Sequence, residues 1–196
     1  MLNLTTFFVK KHVRLLRISN VYDIIDPATG QPVGIAREKP PFWVKIARLL
    51  VARTLLPTKV VVTGPEPAGA TEFFSFAKSG VFGAKVRVMD AMGQKVGDIR
   101  SQIFSFRPKF RVFDANDQEI ALIKGDWKGW NFRAEDPQGQ GVGVITKKWA
   151  GIGKELFTSA DNYIVQAEGS WGADRNRKIL LLSTAFAIDI IYKTQN

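Results

Sequence analysis

The apolar stretch at residues 179–192 (ILLLSTAFAIDIIY) restricts the possible folds more than any other feature of this chain. A helix of this length spans about 21 Å, which is shorter than the roughly 30 Å hydrocarbon core of a bilayer. The stretch also contains Asp189, whose charge would be costly inside a membrane. A helix that is apolar on every face is buried either in protein or in lipid. Its length and its aspartate favour burial in protein, with a hydrogen-bond partner for Asp189 or a position near the edge of the core.

A short pattern that predicts a β-hairpin occurs four times. The copies are at residues 22–38, 86–101, 110–126 and 130–149. In each copy apolar residues alternate with polar ones, an acid-led turn follows, and the alternation resumes, as in two antiparallel strands. The acids that begin the turns are Asp26, Asp90, Asp114 and Asp136. Because such side chains accept hydrogen bonds from nearby backbone amides, we interpret these acids as turn residues rather than catalytic carboxylates.

The four hairpins, with further strands predicted at residues 73–76 and 163–167, give about ten or more strands. An antiparallel sheet of that size usually closes or splits into two layers. Closure is the better prediction here because the C-terminal helix must be buried by something. We therefore predict one mainly β (α+β) domain over residues 1–196, a closed antiparallel β-barrel around a buried hydrophobic C-terminal helix.

The charge of the chain is concentrated near its start. Of the net charge of +10, residues 1–59 contribute 10 Lys or Arg against 3 acids, and residues 60–196 contribute 18 against 15. This distribution, which includes a basic N-terminal segment at residues 1–20, indicates an anionic partner or else a charge that serves only solubility. The same basic residues interrupt any signal-peptide core, so a cytosolic location is expected.

Several chemistries are excluded by composition. The chain has no cysteine, and its single histidine, His12, lies in the basic N-terminal stretch. Disulfides, thiolate metal sites, cysteine nucleophiles and histidine clusters are therefore unavailable. No Walker-type phosphate loop is present either. We expect a protein that is not an enzyme.

Residues 41–56 (PFWVKIARLLVARTLL) predict an amphipathic helical insertion. A basic helix with Trp and Phe on its apolar face is typical of an element at a membrane interface. On this hypothesis the aromatic rings enter the interface and the basic side chains contact anionic head groups. The residues concerned are Phe42, Trp43, Lys45, Arg48 and Arg53. The alternative is a helix that caps one end of the barrel with its apolar face on the core.

The last third of the chain closely resembles the phospholipid scramblase family. The resemblance rests on residues 144–166 (VITKKWAGIGKELFTSADNYIVQ) and 179–193, where the apolar helix carries the Ile188–Asp189 pair. The hairpin pattern extends it over residues 22–38 and 86–193, and the chain is also similar to LURP-one proteins, which share the tubby C-terminal-like fold. The resemblance implies a barrel of twelve strands around a central C-terminal helix.

The resemblance also implies a function. Scramblases are implicated in calcium-stimulated, ATP-independent lipid transport between leaflets, so the chain is expected to bind anionic phospholipid at the cytoplasmic face of a membrane. An acidic segment before the helix has been proposed to hold calcium in that family. Here that segment runs over residues 159–170, with Asp161, Asn162 and Glu168 as candidate ligands, and with serines where acids are expected at its two ends. Calcium takes about six to eight oxygens, and Asp161 can equally be a turn residue.

Two other functions remain open. The chain can be a non-catalytic interaction domain whose basic helix docks on a protein partner. A DNA-binding or transcriptional role is suggested for some relatives of this fold. Basic residues do alternate with aromatic ones at residues 104–113 and 124–133. Strand alternation alone produces the same pattern, with aromatic side chains inward and charges outward.

Overall fold

The structure is a computed structural model that describes residues 1–12, 19–47, 56–65, 71–79, 85–102, 109–126, 129–147 and 162–192. Within these ranges twelve strands form one closed antiparallel barrel. The first six strands are β1 (Thr6–Lys11), β2 (Val21–Ile25), β3 (Pro32–Glu38), β4 (Thr58–Thr63), β5 (Glu72–Lys78) and β6 (Lys85–Asp90). The others are β7 (Lys95–Gln102), β8 (Lys109–Asp114), β9 (Glu119–Asp126), β10 (Asn131–Glu135), β11 (Gly141–Thr146) and β12 (Tyr163–Ala167). The helices in these ranges are α1 (Phe42–Ala47), α2 (Ser170–Ala173) and α3 (Arg175–Tyr192).

Each strand pairs with its neighbour in sequence, and β1 closes the barrel by pairing with β12 as well as β2. In this closure Phe7 lies opposite Val165, and Val9 lies opposite Tyr163. The prediction of a closed, mainly β barrel with about twelve strands is confirmed. The strands β1 and β4 were not singled out by the sequence pattern, because β1 falls in the basic N-terminal segment and β4 follows the helical insertion.

The hairpin turns use aspartate as the sequence predicts. The Asp90 carboxylate accepts hydrogen bonds from the backbone amides of Met92 and Gln94, at 2.9 and 2.8 Å. The Asp114 and Asp136 carboxylates bind the equivalent amides of their own turns. Three turns place glycine in the left-handed region, and the third hairpin places Asp117 there with φ 62°. Aspartate tolerates that conformation better than most residues do, which explains how this hairpin manages without glycine.

The helix α3 fills the barrel. Its residues from Ile179 to Ile191 are buried, which confirms that the apolar run is enclosed in protein. Phe186 packs between the rings of Tyr22 and Phe76, with centroid distances of 5.0 and 5.8 Å. The helix begins at Arg175, four residues before the apolar run, and the backbone amides of Asn176 and Arg177 bind the Asp174 carboxylate there.

The barrel has two different ends. At the end that we call the short-turn end, the aspartate turns join the strands and α2 covers the core with the buried Trp171. At the opposite end, called the long-loop end, β1, β3, β5, β7, β9 and β11 finish, and α1 belongs to the connection between β3 and β4. The C-terminal turns of α3 also reach the long-loop end, because Asp189 contacts Lys11, the last residue of β1.

Candidate functional site

A buried ion pair lies inside the long-loop end of the barrel. The ammonium group of Lys11 contacts the Asp189 carboxylate, and the side chains are only 5% and 0% exposed. The Tyr22 hydroxyl donates a second hydrogen bond to the same carboxylate oxygen, at 2.7 Å. Because a buried charge is tolerated only when it is paired and hydrogen-bonded, this cluster is what allows Asp189 inside the helix. Its neighbour Ile188 is fully buried among apolar residues.

Burial and the negative charge of Asp189 affect the pKa of two tyrosines, Tyr22 and Tyr163. Burial, followed by the negative charge of Asp189, raises the pKa of Tyr22 well above its ordinary value. The same two causes, in the same order, raise the pKa of Tyr163. Both phenols therefore stay neutral at physiological pH. Of the two tyrosines, only Tyr22 donates a hydrogen bond to Asp189, and together with Lys11 it holds the end of α3 against β1 and β2.

The rest of this end of the core is partly polar and partly aromatic. The buried Glu38 accepts hydrogen bonds from the backbone and side-chain nitrogens of Asn20, at 2.9 and 3.0 Å, and from Thr58 at 3.2 Å. Across the barrel, Trp130 stacks on Tyr163 with a centroid distance of 4.8 Å, and the Lys147 ammonium lies 5.2 Å from the Trp130 ring. Glu38, Asn20 and Thr58 thus hydrogen-bond one another, whereas the buried hydroxyl of Tyr163 has no hydrogen-bond partner among the described residues.

Two large aromatic side chains are exposed at the start of α1. Phe42 is 77% exposed and Trp43 is 57% exposed, whereas the next residue, Val44, is buried. A helix that capped the barrel with its aromatic face would bury both rings. Lys45, which the sequence grouped with them, also lies in α1, and Arg48 and Arg53 lie outside the described residues. The structure thus exposes both aromatic side chains of the predicted surface.

The predicted calcium ligands are separated by a whole strand. Asn162, which is 1% exposed, precedes β12 at the long-loop end, and Glu168 follows β12 at the short-turn end. Six residues of extended chain span about 20 Å. Asp161 lies outside the described residues, and in the part of the chain that is described no three His, Asp or Glu side chains are grouped as metal ligands would be. Asn162 and Glu168 cannot hold the same ion, and we propose no calcium site from them.

The residues that the sequence analysis missed are the partners of Asp189. A signal for Lys11 was present, because in TFFVKK it shares the inward-facing positions with Phe7 and Val9. Strand alternation would have placed this lysine inside the barrel. Tyr22 likewise alternates with Ile24, and both are fully buried.

The chain was compared with known families and structures. A family model described as Scramblase matches residues 72–195, which is more than half of the chain. The matched residues include the strands β5 to β12 and the helices α2 and α3. No solved structure matches the chain significantly. In the described part of the chain, no helix combines the length and the hydropathy needed to cross a membrane.

Proposed function

This chain belongs to the scramblase family, and from that premise we propose that it acts as a peripheral protein that binds anionic phospholipid. The family supports a scramblase-type function. The proposed role is not enzymatic, since lipid is bound and moved without any bond being made or broken. The binding surface that we propose consists of Phe42, Trp43, Lys45, Arg48 and Arg53, as the sequence analysis named them.

The exposed aromatic pair is the observation that supports this proposal. Phe42 and Trp43 are two of the three large hydrophobic side chains that are exposed among the described residues. Both lie at the start of α1, and in the sequence Lys39 precedes the pair and Lys45 follows it. Aromatic rings flanked by lysine partition into the head-group region, where the rings leave water and the ammonium groups meet phosphate. This pair lies outside the residues that match the family, so the surface is a feature of this chain beyond the family match.

The charges of the insertion make the attachment selective and reversible. Each basic side chain near an anionic surface contributes about 1 kcal/mol, or about fivefold in affinity. Lys45, Arg48 and Arg53 together contribute about a hundredfold on this basis. The cytoplasmic leaflet carries most anionic lipid, and we therefore propose that the protein binds at that face. No single element here anchors it permanently.

Exchange of phospholipid between leaflets without ATP is the finer form of the proposal. The barrel interior offers no evident route for a lipid among the described residues, because α3 occupies it and its side chains, such as Leu182 and Phe186, are buried in the core. Any lipid that the protein moves would therefore pass along its outer surface. The α1 aromatic pair is the part of that surface suited to disturb lipid packing.

Co-sedimentation with vesicles tests the binding. The wild-type protein should pellet with vesicles of phosphatidylcholine and phosphatidylserine at physiological salt, and not with phosphatidylcholine alone. Replacing both Phe42 and Trp43 by Ala should lower the affinity about a hundredfold, since two rings that leave water contribute about 3 kcal/mol. Met92→Ala is the matched control, because Met92 is 85% exposed at the short-turn end.

A charge-reversal variant tests the basic residues of the proposed surface, and the effect of calcium is tested separately. Changing Lys45, Arg48 and Arg53 together to Glu should abolish sedimentation with anionic vesicles. Unchanged binding by that variant, or equal binding of the wild type to neutral vesicles, would contradict the proposal. Binding to no vesicle in any condition would favour a protein-binding role. A leaflet-exchange assay with and without calcium then examines the transport step in vesicles that bind the protein.

A further inference from the structure

The two ends of the barrel carry opposite charge. The described residues that connect strands at the long-loop end are 12, 19–20, 39–47, 56–57, 79, 129–130, 147 and 162. They contain three lysines, Lys39, Lys45 and Lys147, and no Asp or Glu. The described residues that connect strands or precede α3 at the short-turn end are 1–5, 26–31, 64–65, 71, 91–94, 115–118, 136–140 and 168–174. They contain 5 Asp or Glu and no Lys or Arg, and α3 then begins at this end with Arg175 and with Arg177, which pairs with Asp174. The sheet thus separates a basic end from an acidic one.

Described lysines surround the long-loop end on several sides. Lys59 lies on β4, Lys109 begins β8, and Lys147 follows β11. In the strand order of the closed barrel these positions are four, three and five strands apart, so they are spread around the whole rim. Neither Lys59 nor Lys109 has an ion-pair partner within the described residues, which leaves both charges available.

The aspartates of the short-turn end accept hydrogen bonds within their own turns and remain negatively charged. Asp90, Asp114 and Asp136 bind backbone amides of their turns, which neutralises no charge. The strands are mostly five to eight residues long, so about 20 Å separates the two ends. That distance exceeds the Debye length of about 8 Å at physiological salt. When the basic end faces an anionic surface, repulsion of the acidic end is screened.

We infer that the whole long-loop end is the docking face, so that the barrel stands upright on an anionic bilayer with its short-turn end pointing away. The inference rests on the proposed function and deepens it, because it names the face and the orientation. Docking through α1 alone would lay the barrel on its β3–β4 side. In that pose Lys109, four strands away from β4, would be out of reach of the head groups.

Charge reversal away from α1 distinguishes the two poses. Lys109→Glu should lower the affinity for phosphatidylserine-containing vesicles about tenfold or more, because attraction worth about fivefold is replaced by repulsion. The matched control is Arg175→Glu, an exposed residue at the short-turn end that makes the same change of charge. This control should bind within about twofold of the wild type. Equal affinities for the two variants would overturn the upright pose.

Site-specific labels give a second reading that does not depend on charge. The chain has no cysteine, so a single cysteine can carry a fluorophore. Asn131 is exposed at the start of β10, six strands away from β4, and Met92 is exposed at the short-turn end. In vesicles with head-group quenchers, a label at Asn131→Cys should be quenched and a label at Met92→Cys should not.

The outcomes separate this inference from the proposed function. If the wild type binds no anionic vesicle, the proposed function fails and the inference fails with it. If the wild type binds and the Phe42 and Trp43 variant does not, but the label at Asn131→Cys stays unquenched, the proposed function stands and the upright pose is wrong.

Discussion

Removing one member of the buried ion pair should destabilise the protein strongly. Lys11→Met leaves the Asp189 carboxylate, which is 0% exposed, without the ammonium group that contacts it. Breaking a buried pair at one side typically costs about 3–5 kcal/mol, because the remaining charge is no longer compensated. For a chain of 196 residues, each kcal/mol lowers Tm by about 2–4 °C, so a loss of roughly 6–20 °C is expected.

The double replacement shows whether the pair or the packing is responsible. In the variant Lys11→Met with Asp189→Leu, both charges are exchanged for apolar groups of comparable size. Buried pairs replaced in this way are often as stable as before or more so. We therefore expect the double variant to recover most of the loss, with a coupling energy of at least about 2 kcal/mol between the two positions.

Urea denaturation followed by tryptophan fluorescence measures these differences. Lys10→Met is the matched control, since Lys10 precedes Lys11 in β1 and is exposed; its effect should stay within about 0.5 kcal/mol. Two results would refute the reasoning. One is that Lys11→Met lowers the free energy of unfolding by less than about 1 kcal/mol. The other is that the loss in the double variant equals the sum of the losses in the two single variants. The first result would mean that the pair is solvated, and the second that the two charges do not stabilise each other.

Three further predictions concern the core and the turns. Burial raises the pKa of Tyr22 and of Tyr163 well above the ordinary value of 10.0. The free energy of unfolding should therefore be unaffected by the ionisation of these tyrosines below that pH and should fall as the pH rises above it. Tyrosinate absorbance should report at most one of the 3 tyrosines before the protein unfolds. Gly97→Ala places a Cβ 2.1 Å from a backbone oxygen of β8 and should cost about 3 kcal/mol or more in thermal unfolding, whereas Gly64→Ala, with only a 3.9 Å contact, should cost well under about 1. Asp90→Ala removes two hydrogen bonds to backbone amides and should cost about 1–2 kcal/mol in urea unfolding, and Asp90→Asn, which keeps an acceptor, much less.

The parts of the fold that the sequence predicted are those with local causes. Each hairpin carries its own turn acid, so the strands around Asp90, Asp114 and Asp136 follow from a few adjacent residues. The burial of α3 follows from its uniformly apolar surface. The closure of the barrel by β1 has no local signal, because its partner β12 lies about 150 residues further along the chain. Closure was indicated instead by the number of strands, by the need to enclose α3 and by the resemblance to the scramblase family.

The candidate site shows the same division. The amphipathic pattern of the insertion predicted that Phe42 and Trp43 share a face, but two environments for that face remained open until their exposure was known. The calcium segment was implied by the resemblance to the scramblase family, and its position along the chain was carried over without regard to the strand between Asn162 and Glu168. Because the five-residue strand β12 separates them, Asn162 and Glu168 lie at opposite ends of the barrel although they are only six residues apart in the sequence. Spacing along a chain identifies a site only when the intervening backbone folds back.

The ion pair also joins the family-matched part of the chain to the part outside it. Asp189 lies within residues 72–195, which match the scramblase model, whereas Lys11 and Tyr22 lie in β1 and β2, outside the match. The matched strands β5 to β12 alone would leave two open edges and an apolar helix covered on one side. The first four strands therefore complete the barrel and supply Lys11, which compensates the buried carboxylate of Asp189 on α3. Because α1 lies between two of those strands, the proposed membrane surface is fixed to the same framework that holds the helix.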